Sequence, residues 1–198
     1  MTGEDQIVAT LQQVAEYRQR FAINFPGQKQ PVTLANTATA IAAFEKGLLT
    51  PSPFDRYLEG DNKALTEPQK AGLNTFLQVG CAGCHSGVAL GGNSYQKLGL
   101  RRPYPSQDTG RFQVTNQSAD RFVFKVPSLR NITETGPYFH NGKVKSLDEA
   151  IQLMAQHQLD RTLSSSQIDD LREFSGALKG TLPADYIRPP VLPPNQSL

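Results

Sequence analysis

The chain has 198 residues, 38% of them hydrophobic and 19% charged, which predicts one large or two small domains of an ordinary globular protein. The net charge of +2 is too small for a nucleic-acid binder judged on totals, and no apolar run approaches the about 18–20 residues that cross a membrane. The two cysteines, Cys81 and Cys84, are too few for a disulfide scaffold or for four-thiolate zinc and iron–sulfur sites.

Two helices are predicted in the first 50 residues. Apolar residues recur at helical spacing over 7–15, and a Pro-Gly pair at 26–27 lies beyond the end of that helix. The second helix is predicted from Leu34 to Lys46, with Thr33 as its N-cap and Gly47 directly after its end.

A connector and a third helix lead to the cysteines. Residues 50–61 are rich in turn-forming types, which predicts an irregular connector. The helix after it begins at a capping box, in which Thr66 and Gln69 each bind the other's backbone. Gly80 is predicted to end this helix directly before Cys81.

The middle of the chain, residues 86–145, is rich in Gly, Pro, Ser and Asn and offers only Phe122–Val126 as a short strand. An irregular span of this length is unusual in a compact domain unless it wraps around another part of the molecule, so we predict a long loop that covers one edge of the domain. It carries 9 basic and 3 acidic side chains. This excess is either a solvated surface, or it neutralises a buried anion or steers an acidic partner.

Two more helices and a tail complete the predicted elements. One helix begins at a capping box that starts with Ser146 and has Met154 on its apolar face, and the other begins at Ser164. Five of the 14 prolines lie beyond residue 182. We therefore predict one domain over 1–182, followed by an extended tail over 183–198.

The pentapeptide at 81–85, Cys-Ala-Gly-Cys-His, is the one specific motif of the sequence. C-x-x-C-H predicts covalent c-type haem, because two thiols add to the two haem vinyl groups and the adjacent imidazole becomes the proximal iron ligand. A zinc site would need about four ligands, with only His140 and His157 left to complete it. A thioredoxin-like redox pair would need a βαβ context, whereas this motif follows a capped helix.

The second axial ligand stays open when the residues alone are considered. Met154 is the only methionine besides Met1, and it is either this ligand or an ordinary core residue. His157, one turn further along the same predicted helix, and His140, in the irregular region, are the other candidates. The choice matters because the axial ligand sets the reduction potential of the iron.

Several runs resemble the bacterial dihaem cytochrome c peroxidases. They are DTGR at 108–111, FKVPSLRN at 124–131, TGPYFHNG at 135–142 and the helical segment 147–159. The resemblance covers nearly the whole chain and corresponds to the C-terminal, high-potential, electron-transferring haem domain of that family. It implies an all-α, cytochrome c-like fold of about five helices around one covalent haem.

The resemblance also implies roles for single residues. Cys81 and Cys84 match the thioether residues, His85 the proximal ligand and Met154 the distal ligand. The backbone carbonyls of two further residues match positions that bind the family's interdomain calcium ion, for which oxygen donors are preferred. These two residues are Thr135 and Pro137.

Two arginines of the basic segment, Arg111 and Arg130, are candidate partners of the haem propionates. Burying haem brings two carboxylates close to a medium of low dielectric, where an unpaired charge is costly. We therefore predict that at least one of these arginines pairs with a propionate. The alternative is that both are surface arginines.

The chain departs from the family in having one C-x-x-C-H motif and no tryptophan. Family members carry a second haem, at which peroxide binds, in an N-terminal domain, with a tryptophan between the haems. The resemblance thus implies the electron-accepting half, which takes electrons from a small cytochrome c or cupredoxin and passes them to a peroxide-reducing haem domain of the same enzyme.

Two other functions are weighed against this one. A free-standing monohaem electron carrier would have the same motif. A maturase-like relative that oxidises a partner protein is disfavoured by Met154, because that group has tyrosine at this position. Haem of this type is attached outside the bacterial cytoplasm, so we expect a periplasmic protein, although the opening MTGEDQIVAT lacks the basic and apolar regions of a secretory signal.

Overall fold

The computed structural model describes residues 3–193, which fall into two compact units. The larger unit is Thr50–Thr181, and the smaller unit comprises 3–49 together with 182–193. Helices dominate the regular structure of the described residues, beside one two-stranded sheet, so the predicted all-α class is confirmed. None of the helices within 3–193 is long and apolar enough to cross a membrane.

The smaller unit contains α1 (Glu4–Gln13), α2 (Ala15–Asn24) and α3 (Leu34–Lys46). The first predicted helix is thus two helices, because Val14 is extended, with φ −93° and ψ 113°, and is buried. The prediction for α3 is confirmed, including the N-cap, where the Thr33 side chain accepts a hydrogen bond from the Asn36 N–H.

The chain beyond residue 182 returns to the smaller unit. The Tyr186 ring stacks on Phe44 at 5.2 Å between centroids, and its hydroxyl donates to the Phe44 carbonyl at 2.9 Å. The predicted tail over 183–198 includes 194–198, which lie outside the described residues, and its separation from the haem domain stays a prediction.

The larger unit is built on three long helices, with short elements between them. Within 50–181 its helices are α4 (Pro53–Leu58), α5 (Glu67–Val79), α6 (Phe112–Thr115), α7 (Leu147–Leu159) and α8 (Ser165–Ala177), and its strands are β1 (Tyr95–Lys97) and β2 (Val123–Lys125). The strands pair antiparallel, with Gln96 opposite Phe124.

The prediction of an irregular connector at 50–61 is wrong in part, since α4 lies there. Pro53 occupies the first turn of α4, and the Ser52 N–H donates to the Asp55 carboxylate at 2.7 Å.

The core of the larger unit forms where α5 and α8 cross. The Phe174 ring packs edge-on against Phe54, with 5.2 Å between ring centroids, and at a tilt against Phe76, with 5.1 Å between ring centroids. The two backbones approach so closely that a Cβ at Gly72 would lie 2.0 Å from the Asp170 carbonyl oxygen. This crossing fixes the end of α5, from which the chain enters the C-x-x-C-H motif.

We expect Gly72→Ala to lower the free energy of unfolding by about 1–3 kcal/mol, because the new methyl group forces α5 and α8 apart. Gly176→Ala on α8 is the matched control, since nothing lies within 4 Å of its added Cβ. That variant is expected to be neutral or to gain up to about 1 kcal/mol from the lower flexibility of alanine. Urea unfolding of both variants checks the prediction, and equal midpoints would contradict it.

Candidate functional site

A cavity of about 440 Å³ lies in the larger unit, within the size range of ligand-binding pockets. Its wall is mainly apolar and is formed by α5, α7, α8 and parts of the segment 124–140. All three reactive residues of the motif, Cys81, Cys84 and His85, lie in this wall, and so does Met154 of α7. The structure therefore brings together four of the residues predicted to hold haem.

The turn after α5 places the motif at the cavity. Gly80 has φ +100°, a left-handed conformation that glycine adopts without strain and that ends the helix as predicted. A 3-10 turn follows over Cys81–Gly83, in which the Cys81 carbonyl accepts hydrogen bonds from the backbone N–H groups of Cys84 at 3.2 Å and His85 at 3.0 Å. One tight turn thus delivers both thiols and the imidazole to the same wall.

The imidazole of His85 is held in the form that binds iron. Its Nδ1 lies 3.2 Å from the Leu90 carbonyl oxygen, which can only accept, so Nδ1 carries the proton and the Nε2 lone pair is free. Burial lowers the pKa of His85, which keeps the ring neutral. Gly91 allows this packing, since a Cβ there would lie 2.1 Å from the Pro127 carbonyl oxygen and 3.3 Å from Nδ1.

The two cysteines are free thiols that do not form a disulfide. Burial raises the pKa of Cys81 to about 11, so this thiol is protonated at neutral pH. A reactive redox cysteine has a lowered pKa, so Cys81 does not suit a thioredoxin-like redox pair. Within residues 3–193 there is also no cluster of three or more His, Cys, Asp or Glu side chains arranged for a metal ion.

The three candidates for the second axial ligand differ in their surroundings. Met154 and His140 line the cavity. The ring of His140 stacks on Phe124 at 4.2 Å, and its Nε2 lies 3.2 Å from the Ser106 hydroxyl. His157 lies outside the cavity wall, with its Nδ1 3.0 Å from the Arg102 carbonyl oxygen. The geometry therefore favours Met154, whose assignment stays a prediction.

The other predicted site residues divide into two groups. Thr135 and Pro137 lie in the cavity wall, whereas Arg111 and Arg130 do not. The Arg111 guanidinium lies 3.2 Å from the Asp120 carboxylate and 4.8 Å from the centre of the Tyr95 ring. The Arg130 guanidinium donates hydrogen bonds to both oxygens of the Asp55 carboxylate, each at 2.6 Å. The pairing of an arginine with a propionate stays a prediction.

Sequence reasoning missed much of the cavity wall. Leu171 and Phe174, two buried apolar residues of α8, also line the cavity. Tyr138 lies there too, with its hydroxyl donating to the Ile132 carbonyl at 3.0 Å. The glycine pair at 91–92 was the one local signal of the close packing beside His85.

Comparisons with known proteins are consistent with this site. A profile of the family described as di-haem cytochrome c peroxidase matches residues 1–63. Cytochrome c551 peroxidase of Nitrosomonas europaea is 42% identical over 196 residues, which cover 98% of this chain and 57% of that protein. Cytochrome c peroxidase Ccp of Escherichia coli K12 is 41% identical over 182 residues, which cover 89% of this chain and 38% of that protein.

A solved structure is also similar. The crystal structure of a MauG-like protein associated with microbial copper homeostasis superposes with a TM-score of 0.68 at 27% identity, over 89% of this chain and 62% of that one. The chain spans about half the length of the curated cytochrome c551 peroxidases that it matches, 57% and 54%.

Proposed function

The chain belongs to the di-haem cytochrome c peroxidase family, and we propose that its residues form a domain of such an enzyme that carries one haem c and transfers electrons. One observation carries the proposal: both thiols and the imidazole of a C-x-x-C-H motif share the wall of an apolar cavity with Met154. The size and apolar lining of this cavity fit a porphyrin, and its sulfur and nitrogen donors fit haem iron.

Each side chain has a separate task in this proposal. Cys81 and Cys84 would hold haem c through thioether bonds, formed by addition of their S–H groups to its two vinyl groups, and His85 would bind its iron through Nε2. Met154 would supply a second ligand to the iron through its thioether sulfur. Haem c, when bound, supplies an iron that alternates between the ferrous and ferric states. The apolar wall excludes water, which limits the rearrangement that accompanies each change of charge.

The division of labour follows from the two axial positions. Peroxide reduction needs an open iron position and polar groups that move a proton as the O–O bond breaks. With His85 and Met154 both bound to iron, peroxide would find no open position there, so we expect this domain to accept electrons from a small cytochrome c or cupredoxin and to pass them to a second haem domain. The basic segment 86–145 would attract an acidic donor surface. We place the domain in the periplasm, where haem of this type is attached.

Calcium is a smaller part of the same proposal. Thr135 and Pro137 lie at the cavity wall, and their backbone carbonyls are suitable ligands for this ion. A calcium-dependent change in the absorbance of the haem would support the assignment. An unchanged spectrum in millimolar calcium would contradict it.

We expect the intact chain, produced with a haem-attachment system, to carry one haem by mass spectrometry. Stopped-flow mixing with a reduced small cytochrome or cupredoxin should then show rapid and reversible electron exchange. A chain without haem would contradict the proposal. Exchange with small donors, but none with the peroxide-reducing haem domain of a relative, would instead favour the free-standing electron carrier.

A further inference from the structure

Arg130 joins three parts of the larger unit through one guanidinium group. Its Nη1 donates to the Ser52 hydroxyl at 2.9 Å, and Nη1 and Nη2 each donate to a different oxygen of the Asp55 carboxylate at 2.6 Å. Its Nε and Nη2 both donate to the Val88 carbonyl, at 2.9 and 2.6 Å. Only 16% of the Arg130 side chain is exposed, so these bonds face little competition from water.

The partner carboxylate is held firmly in the charged form. Asp55 accepts hydrogen bonds from Arg130 and from both the N–H and the hydroxyl of Ser52. These bonds lower the pKa of Asp55 to about 2, with Arg130 as the largest cause. Ser52 is almost fully buried directly before α4. The guanidinium is therefore anchored at one end to a fixed helix start.

The other end of the guanidinium belongs to a row of bonds that leads to the haem motif. The carbonyls of three consecutive residues are bound by the segment 128–130. The Arg130 guanidinium donates to the Val88 carbonyl, and the Ser128 hydroxyl donates to the Ala89 carbonyl at 2.7 Å. The Leu129 N–H donates to the Leu90 carbonyl at 3.3 Å. The Leu90 carbonyl is also the acceptor for His85 Nδ1.

We propose that Arg130 is a positioning residue for His85, which fixes the segment 88–90 and thereby the direction and strength of the hydrogen bond from His85 Nδ1. Such a bond orients a histidine ligand and makes it more basic, which favours the ferric state and lowers the reduction potential. This inference rests on the proposed attachment of haem. It gives Arg130 a role different from pairing with a propionate.

The test compares haem-loaded Arg130→Lys and Arg130→Met with the wild-type protein. Lysine keeps the charge beside Asp55 but lacks the planar fork that also reaches the Val88 carbonyl. Both variants are expected to raise the reduction potential and to change the pattern of ferric haem-methyl proton resonances, which reports the orientation of the axial imidazole. Solvent exchange of the His85 Nδ1 proton should become about tenfold faster or more. The substitution removes the charged hydrogen bonds of Arg130 that hold the segment 88–90, and one such bond is worth at least that factor.

Arg172→Met is the matched control. It removes one arginine paired with aspartate and the same unit of charge, but this side chain is 44% exposed on α8. We expect wild-type potential and resonances from it, whatever its effect on stability. A wild-type potential and methyl pattern in Arg130→Lys would overturn the positioning role, leaving only an ion pair.

Three further outcomes keep the result decisive. If neither Arg130 variant takes up haem, the milder Asp55→Asn variant is measured instead. We expect its reduction potential to shift in the same direction by a smaller amount. An unchanged potential would overturn the inference. A wild-type chain without covalent haem contradicts the proposed function itself. If the wild-type chain carries haem and the variants have the same reduction potential as the wild type, only the role of Arg130 is contradicted.

Discussion

Replacing Cys81 and Cys84 together by alanine is expected to give protein without covalently attached haem. Both thiols lie in the cavity wall at the end of α5, and each supplies one thioether bond in the proposed site. Intact-mass spectrometry and haem staining of a denaturing gel measure the loss, which should be complete. We also expect a large loss of stability, because a cavity of about 440 Å³ stays unfilled beside Phe76 and Phe174.

The single variants separate attachment from folding. Cys81→Ala and Cys84→Ala should each keep one thioether and therefore part of the stain, because the other sulfur and His85 are unchanged. Thr75→Ala is the control, since its hydroxyl bonds to Asp170 at 2.9 Å between α5 and α8, away from the cavity wall. It should lower stability and keep full haem content. Stain that persists in the double cysteine variant would show that the C-x-x-C-H motif does not attach haem here.

Local signals in the sequence predicted the long helices well. The capping box at Thr66, the capping residue Ser164 and the glycine at position 80 act within one turn of chain, so their effect on α5 and α8 can be predicted without tertiary information. The same logic applies to Ser52 and Asp55, but a proline-rich composition obscured their capping box. The break at Val14 had no such signal, because an extended, buried valine between two helices matches no capping or turn pattern in the sequence.

The candidate site was predictable only where its chemistry is local. Cys81, Cys84 and His85 form one pentapeptide, whereas the support of His85 comes from contacts with distant residues. Arg130 illustrates the limit: charge reasoning indicated an arginine that needs an anion, but not which anion. Its partner Asp55 lies 75 positions away, and no pattern along the chain connects the two.

Substitution of Met154 tests the second axial ligand and the division of labour together. Met154→His should keep a low-spin iron and lower its reduction potential, because thioether sulfur favours ferrous iron more than a second imidazole does. An unchanged potential would indicate His140, the other candidate in the cavity wall, and the corresponding His140 variant would then decide. Potentiometry and absorbance spectra of the loaded protein provide both readouts.

Met154→Ala should open the iron and raise peroxide turnover above the very low rate expected of the wild-type chain. The increase should stay well short of an intact dihaem enzyme, since acid–base groups positioned for peroxide contribute about 10²–10⁴-fold and the resemblance assigns such groups to the other haem domain. Leu153→Ala is the matched control, because it shortens the neighbouring side chain of α7, which does not line the cavity. Steady-state peroxide reduction with a reduced donor cytochrome measures all three proteins. Full enzymatic turnover by the wild-type chain would contradict the separation of electron transfer from peroxide chemistry, and with it the proposed binding of iron by both His85 and Met154, which would leave peroxide no position to bind.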